Sequence, residues 1–384
     1  MLKSSLTTQP PEAPQLKLRR ELPERDAWQA LTANTGPFVH WDFLHGLATA
    51  GCVGENSGWE PCFLSQRESG RLLAAAPGWI KHHSHGEFVF DWAWARAAHQ
   101  AGLNWYPKLL VAAPLSPVTG PRLLGAESNP SAAEALVDQI VEAVQRWRLS
   151  SAGVNFCLPH DADILRSSGW LERFDWQFHW RNESYRDFDD FLDRFKRKAR
   201  KNIRAERRKV AEAGWSLSWK GGDELSEQEL DLISNCYTTT FQLYGNLPSL
   251  NRAFFAETAR RFGDRFQVCI AARDAEPLAA AIFWHDGDRL YGRYWGSLID
   301  CKDVHFEACY YQGIEFCIRR GLTAFEPGAQ GEHKIKRGFV PTTTRSFHYI
   351  RHPGMRQAIA RYLNHEAAAL IQYGEHLDSL VPFA

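Results

Sequence analysis

Phe266-Gln-Val-Cys-Ile-Ala-Ala-Arg-Asp-Ala-Glu-Pro-Leu-Ala-Ala-Ala-Ile-Phe-Trp-His-Asp-Gly-Asp-Arg-Leu-Tyr-Gly-Arg-Tyr-Trp-Gly296 reads as three short strands and two turns. Residues 266–273 are a nearly continuous apolar run, 274–277 hold Asp, Ala, Glu and Pro, and 278–284 return as an apolar run. Asp286-Gly-Asp288 is the second turn, and 290–296 the third strand. Short apolar runs bounded by Gly, Pro and Asp signal antiparallel pairing. The stretch therefore predicts a three-stranded antiparallel meander.

Two helical patterns precede it, 226–244 and 251–263, the second closed by Gly263. A helix follows over 304–320, closed by Gly321, and residues 322–326 read as a buried strand. That strand opens into Glu326-Pro-Gly-Ala-Gln-Gly-Glu-His-Lys-Ile-Lys-Arg-Gly-Phe-Val-Pro341. Glycines at 328, 331 and 338 let the backbone turn sharply or approach a ligand closely. Acid, amide, imidazole and cation crowd into a dozen positions with little apolar filling. The stretch reads as the wall of an active site, or as a solvated loop between strands. A strand over 346–350 and a helix over 354–378 close the chain.

The first half echoes this order. Cys62–Leu64, a turn at Glu68-Ser-Gly70 and Leu72–Ala76 form a hairpin pattern like Cys269 through Ala281. Residues 93–102 look helical, 106–113 form a buried strand, and 131–150 carry Leu136, Ile140, Val144 and Trp147 on one helical face. Between hairpin and helix lies a second polar-rich segment, with Lys81, His83, His85, Glu87 and Asp91 among aromatics. It fits a pocket wall for a polar substrate or an aromatic-anchored loop. Its spacing matches no standard ligand set, so no metal is expected.

Near residue 182 the character changes. Asp187, Asp189, Asp190 and Asp193 open a pattern read as one long helix, where acids suit the N-terminal dipole. It then turns basic: ten of the sixteen residues 194–209 are Lys or Arg. The run reads either as a solvated face or as a phosphate-binding rim built on Arg197, Lys198, Arg200, Lys201 and Arg204.

At 384 residues two domains are expected, 16–182 and 183–384, behind a disordered tail over 1–15. Formal net charge is zero, so attraction to nucleic acid or an acidic membrane needs a local patch. The eight cysteines sit mostly in apolar runs without a C-x-x-C pair, the pattern of reduced thiols in a cytoplasmic protein. No signal peptide and no transmembrane segment is legible. Nothing in the sequence sets the oligomeric state.

Two helices, a meander, a helix and a strand follow the order of the GNAT N-acyltransferase fold. From about Trp28 to Phe383 the chain resembles the bacterial FemAB-like family of N-acyltransferases. The matching stretches are Lys81–Asp91, Tyr106-Pro-Lys108, Tyr291–Gly296, His305–Gln312 and Gly328–Lys334. The resemblance implies an α/β (α+β) chain of two tandem GNAT-like domains, each a mixed, mainly antiparallel sheet flanked by helices. It implies transfer of an acyl or aminoacyl group, from acyl-CoA or aminoacyl-tRNA, to a small-molecule or peptide amine, with a peptidoglycan-type precursor among the candidates. The usual acetyl-CoA signature is absent, since the junction after the third strand reads Ser297-Leu-Ile-Asp-Cys-Lys-Asp-Val304.

Acyl transfer to an amine needs a base for the ammonium proton, donors for the oxyanion and fixed substrates. Glu307, Glu332 and His333 are the candidate bases, with His305 behind them. Tyr291, Arg293 and Gln330 are candidate donors, and Lys334, Lys336 and Arg337 candidate partners for a phosphate or carboxylate. Lys108, Tyr310 and Tyr311, from the matching stretches, join the candidate substrate contacts. The alternative is a non-catalytic RNA- or phosphate-binding protein that uses the basic helix.

Overall fold

Alternating apolar strands supply a sheet that runs through the whole molecule. The computed structural model describes residues 21–33, 35–329 and 331–383, the side chain of Lys302 apart. The expected tail over 1–15 and Gln330 lie outside these residues. The strands in chain order are β1 (Glu60–Pro61), β2 (Leu64–Glu68), β3 (Arg71–Ala76), β4 (Gly78–Lys81), β5 (Lys108–Val111), β6 (Ser151–Asn155) and β7 (Leu171–Arg181). They continue as β8 (Trp215–Gly221), β9 (Phe266–Arg273), β10 (Glu276–His285), β11 (Arg289–Ser297), β12 (Ala324–Glu326) and β13 (Val340–Ile350). Eleven of them form one mixed sheet in the order β1-β4-β5-β6-β13-β7-β12-β11-β10-β9-β8, while β2 and β3 pair as a separate hairpin.

The meander β9–β10–β11 forms as the sequence predicts, antiparallel throughout. Two pairs are parallel: β5 with β6, and β11 with β12. The two halves of the chain also exchange neighbours. β13 lies between β6 and β7, with Ser346 opposite Asn155 and Val340 opposite His179. β7 in turn pairs with β12.

Three readings are corrected. The helix expected from Asp187 onward is two helices, Phe188–Asp193 and Arg197–Glu212. Phe195 bridges to Phe383 and the Lys196 amide donates to the Pro382 carbonyl at 3.0 Å, so backbone groups at the break serve the C-terminal chain. β8 was not expected, because a half-exposed edge strand with serines has little apolar signal. β13 starts at Val340 rather than 346, since its polar run Thr342-Thr-Thr344 pairs along β7.

Aromatic packing ties the first helices to the second half. Phe38 packs edge-on against Trp284 and Tyr291, and Phe43 against Phe254. Trp28, at 0% exposure, meets Phe63 of the first half. Each such ring contributes on the order of 1.5–3 kcal/mol by leaving water. The segment 25–49 thus lies against both halves.

Candidate active site

β11 and β12 run in parallel register only over Arg289–Tyr291 and Ala324–Glu326. Past that point β12 ends and the chain leaves through Pro327 and Gly328, while β11 continues to Ser297. The side of β11 facing β12 loses its strand partner there. The gap is a pocket of about 100 Å³, whose lining includes Arg293, Tyr294, His305, Cys309, Tyr310 and Pro327. Its helical wall, Lys302–Arg320, winds as a π-helix over Glu307–Tyr311. Such one-turn bulges re-aim side chains and recur at functional sites.

Arg293, His305 and Tyr310, three of the residues read from the sequence, therefore meet in one pocket. His333 joins them through a 3.0 Å hydrogen bond between its Nε2 and the Tyr310 hydroxyl. Burial, with the charges of His333, Lys334 and Arg337, pushes His305 down to about 4, so its imidazole is neutral at pH 7. Lys334 is buried at 2% exposure, and its ammonium donates to the Gly328 carbonyl at 2.7 Å. Burial brings it down to about 7. Arg293 crosses to the first half of the chain, donating to the Leu115 carbonyl at 2.8 Å, and its Nε has no hydrogen-bond partner among the described residues. Leu115, like Phe88 under Arg293 and Phe156, holds a positive φ, a costly conformation for large side chains.

Glu326 was read as the end of a buried strand and the start of the polar loop, with no role. It ends β12, is 3% exposed, and keeps Oε2 without a hydrogen-bond partner among the described residues, the His179 Nε2 lying 3.9 Å away. Arg289 reaches only its Oε1, at 3.3 Å, and burial raises the carboxyl to about 7. The available signal was a carboxylate closing a buried strand, where an acid without a function costs stability.

Other candidates lie apart from the pocket. Glu307 accepts from Arg207 at 3.0 and 3.2 Å and from Gln312 at 3.0 Å. Tyr311 donates to Glu206, which also receives Arg337 at 2.9 and 3.0 Å. These contacts fasten the basic helix to the helical wall and to the turn Glu332–Arg337. Glu332 is exposed and accepts from Tyr373, Lys336 is exposed, and Tyr291 donates to Asp286 at 2.6 Å.

The segment 81–91 forms a second cluster at the β5–β6 pair. The Lys108 ammonium donates to Glu87 at 2.8 Å, Asp91 at 2.5 Å and Ser84 at 2.9 Å. Burial alone would lower Lys108, but the two carboxylates outweigh it and hold it charged. The associated cavity measures about 10 Å³, less than a water needs. Lys81 lies over the Trp59 ring at 3.7 Å and is brought by burial to about 7. His83 and His85 stand outside, rings 4.9 Å apart. Among the described residues no group of three or more His, Cys, Asp or Glu is placed to hold a metal ion.

On the basic helix, Arg200 pairs with Asp193 at 2.6 Å and Arg204 with Asp189 at 2.8 Å. Arg197, Lys198 and Lys201 are exposed and enter no ion pair among the described residues.

A family model described as FemAB-like, peptidoglycan biosynthesis/recognition, matches residues 21–384. The chain belongs to the FemAB-like family. No curated protein matches the sequence. Among solved structures, FemX shares 12% identity over 88% of this chain and 99% of its own, with a TM-score of 0.53. A conserved protein of unknown function from Bacteroides thetaiotaomicron shares 8% over 88% of this chain and 100% of its own, at 0.51. These likenesses carry the fold. Membership of the FemAB-like family supports a transferase. No helix among the described residues is long and apolar enough to cross a membrane.

Proposed function

We propose that this chain is a cytoplasmic N-acyltransferase that moves an acyl or aminoacyl group from a CoA thioester or an aminoacyl-tRNA to an amine, the acceptor being of peptidoglycan-precursor type. The observation that carries the proposal is the neutral His305 in the pocket where β11 and β12 part, with Arg293 and Tyr310 in the same wall. The acceptor ammonium gives a proton to His305, its nitrogen attacks the acyl carbonyl carbon, and the oxyanion meets Arg293 and Tyr310. Collapse breaks the bond to the thiolate or ribose oxygen, which leaves with the proton from His305, and the freed imidazole takes the second proton from the new amide nitrogen and passes it to water. His333 orients Tyr310. Lys334 and Lys336 face the donor's negative groups. Glu307 and Arg337 keep the helical wall and the turn in register with the basic helix. Residues 16–182 and 183–384 act as two units with exchanged strands.

The test follows acyl transfer by mass spectrometry, with acetyl-CoA, longer acyl-CoAs and charged tRNA as donors and an amine-bearing muropeptide as acceptor. Turnover with one donor, reduced about 100-fold or more in His305→Ala at unchanged thermal stability, is expected. Transfer by none of the donors, or full turnover in the variant, sinks the reading.

A second reading has one observation in its favour: the unpaired, outward Arg197, Lys198 and Lys201. On it the chain is a non-catalytic RNA binder. Salt-dependent RNA affinity without transfer from any donor is its expected signature.

A further inference from the structure

A void larger than the pocket at His305 lies elsewhere among the described residues. A cavity of about 430 Å³ lies between the segment around Gly36–His40, the loop at Gly120 and the turn joining β10 to β11. That volume falls in the range of small-molecule sites. Its lining includes the titratable side chains of His40, Arg265, His285, Asp286, Asp288 and Arg289.

The charges of this lining balance, Arg265 and Arg289 against Asp286 and Asp288, but their engagement does not. Asp286 is already satisfied: it accepts the Tyr291 hydroxyl at 2.6 Å and the amides of Asp288 and Arg289 at 2.9 and 2.7 Å. Asp288 accepts from Thr323 at 2.7 Å. The cations are less engaged. Arg265 is exposed, lies over Phe262, and enters no ion pair among the described residues. Arg289 reaches Glu326 only at 3.3 Å and Asp288 only at 3.6 Å. His285 is 7% exposed and donates through Nε2 to the Asp264 carbonyl at 2.9 Å, while its Nδ1 has no hydrogen-bond partner among the described residues. Two guanidiniums and the His285 imidazole thus border a void with unspent hydrogen-bonding capacity, while His40 is engaged through Nδ1 with Asp42. Guanidiniums present a fork that matches phosphate oxygens. At Gly36 a Cβ would come within 3.1 Å of the Tyr291 hydroxyl on the cavity wall, so the glycine leaves that side open.

We propose that this cavity is a binding site for a phosphate-bearing small molecule, the phosphate meeting Arg265 and Arg289 and the rest of the ligand filling the space towards His40. The site is distinct from the acyl pocket. Arg289 is its physical link to Glu326, because the same guanidinium borders the cavity and donates to that carboxylate. The proposal stands on binding, so it survives or fails whether or not acyl transfer is found.

Calorimetry on the full chain tests it, with inorganic phosphate, pyrophosphate, a nucleoside diphosphate and the unphosphorylated nucleoside as probes. Phosphate-bearing probes are expected to bind and the nucleoside not to. Arg265→Ala should weaken binding about tenfold or more, the loss of one charge-assisted contact. Arg265 is exposed, so the variant keeps its fold, checked by an unchanged melting temperature. Charge reversal at Lys198 and Lys201 should leave this binding as it was. Equal affinity for pyrophosphate and nucleoside diphosphate would assign the site to the phosphate group alone, and tighter nucleoside diphosphate binding to a nucleotide. No binding of any phosphate probe, full affinity in Arg265→Ala, or loss only in the Lys198 and Lys201 variant overturns the proposal.

Discussion

The sheet contains two parallel strand pairs, and their polar clusters are opposite in character. At β5–β6 the Lys108 ammonium meets Glu87, Asp91 and Ser84, in a cavity of about 10 Å³. At β11–β12 the buried Lys334 meets a single carbonyl, Glu326 keeps an oxygen without a partner, and the pocket opens to about 100 Å³. Both lysines are almost fully buried, so burial does not separate them. What separates them is satisfaction. A buried ion cluster with its partners present is part of the frame, whereas buried groups without partners cost stability that only a ligand or a reaction accounts for.

The comparison breaks most directly at the lysines. Lys108→Met leaves Glu87 and Asp91 buried without their cation, which should lower the unfolding free energy by about 3–5 kcal/mol in urea. Lys334→Met removes an amine with one neutral partner and should cost less than about 1 kcal/mol, or stabilise, while acyl transfer falls. Equal losses of stability in the two variants would erase the distinction between frame and site.

A titration sharpens it. The folded-state value of Lys334, about 7, lies below that of an unfolded lysine, about 10.4. Between these limits the unfolded chain holds a proton that the folded chain lacks, so this residue makes stability rise with pH, by up to about 1.4 kcal/mol per unit. Glu326 has the opposite sign: it is raised to about 7 from an unfolded value near 4.3, so stability falls as pH climbs through that window. Subtracting the curve of Lys334→Met from that of the natural protein should isolate a rising segment above pH 7. Glu326→Gln should isolate a falling one below it. A flat difference in either case means that the residue is more hydrated than its burial implies.

The sequence carried the local half of this picture. The meander over 266–296 is an apolar pattern broken by turn residues, and such patterns need no distant partner to be read. Arg293 and His305 were picked out as polar groups among apolar runs and Tyr310 by the family resemblance, and the three meet in one pocket. What stayed hidden depends on partners far along the chain. The acid at Glu307 looked like a free base until Arg207, one hundred residues earlier, took its oxygens. Glu326 was placed at a strand end but given no role, because nothing local shows that β7 flanks β12. The polar Thr342–Thr344 gave no strand signal, although they build the seam between β13 and β7.

The smallest expected effect on stability concerns the basic helix. Its inner face is spent on structure, Arg207 on Glu307 and Glu315, and Glu206 on Arg337. Its outer face carries Lys198 and Lys201 with no ion pair among the described residues. Exposed charges without partners contribute little to folding, so Lys198→Glu with Lys201→Glu should move the unfolding free energy by no more than about 0.5 kcal/mol. If the outer face grips a nucleic-acid backbone, the double variant should still lose RNA affinity. The slope of log affinity against log salt should shrink by about 0.7–0.9 for each phosphate contact removed. Filter binding at several salt concentrations reads both quantities. An unchanged slope would leave the helix as a solvated strut whose only task is to hold Glu307 and Arg337 in place, and the difference between its faces would then be one of structure alone.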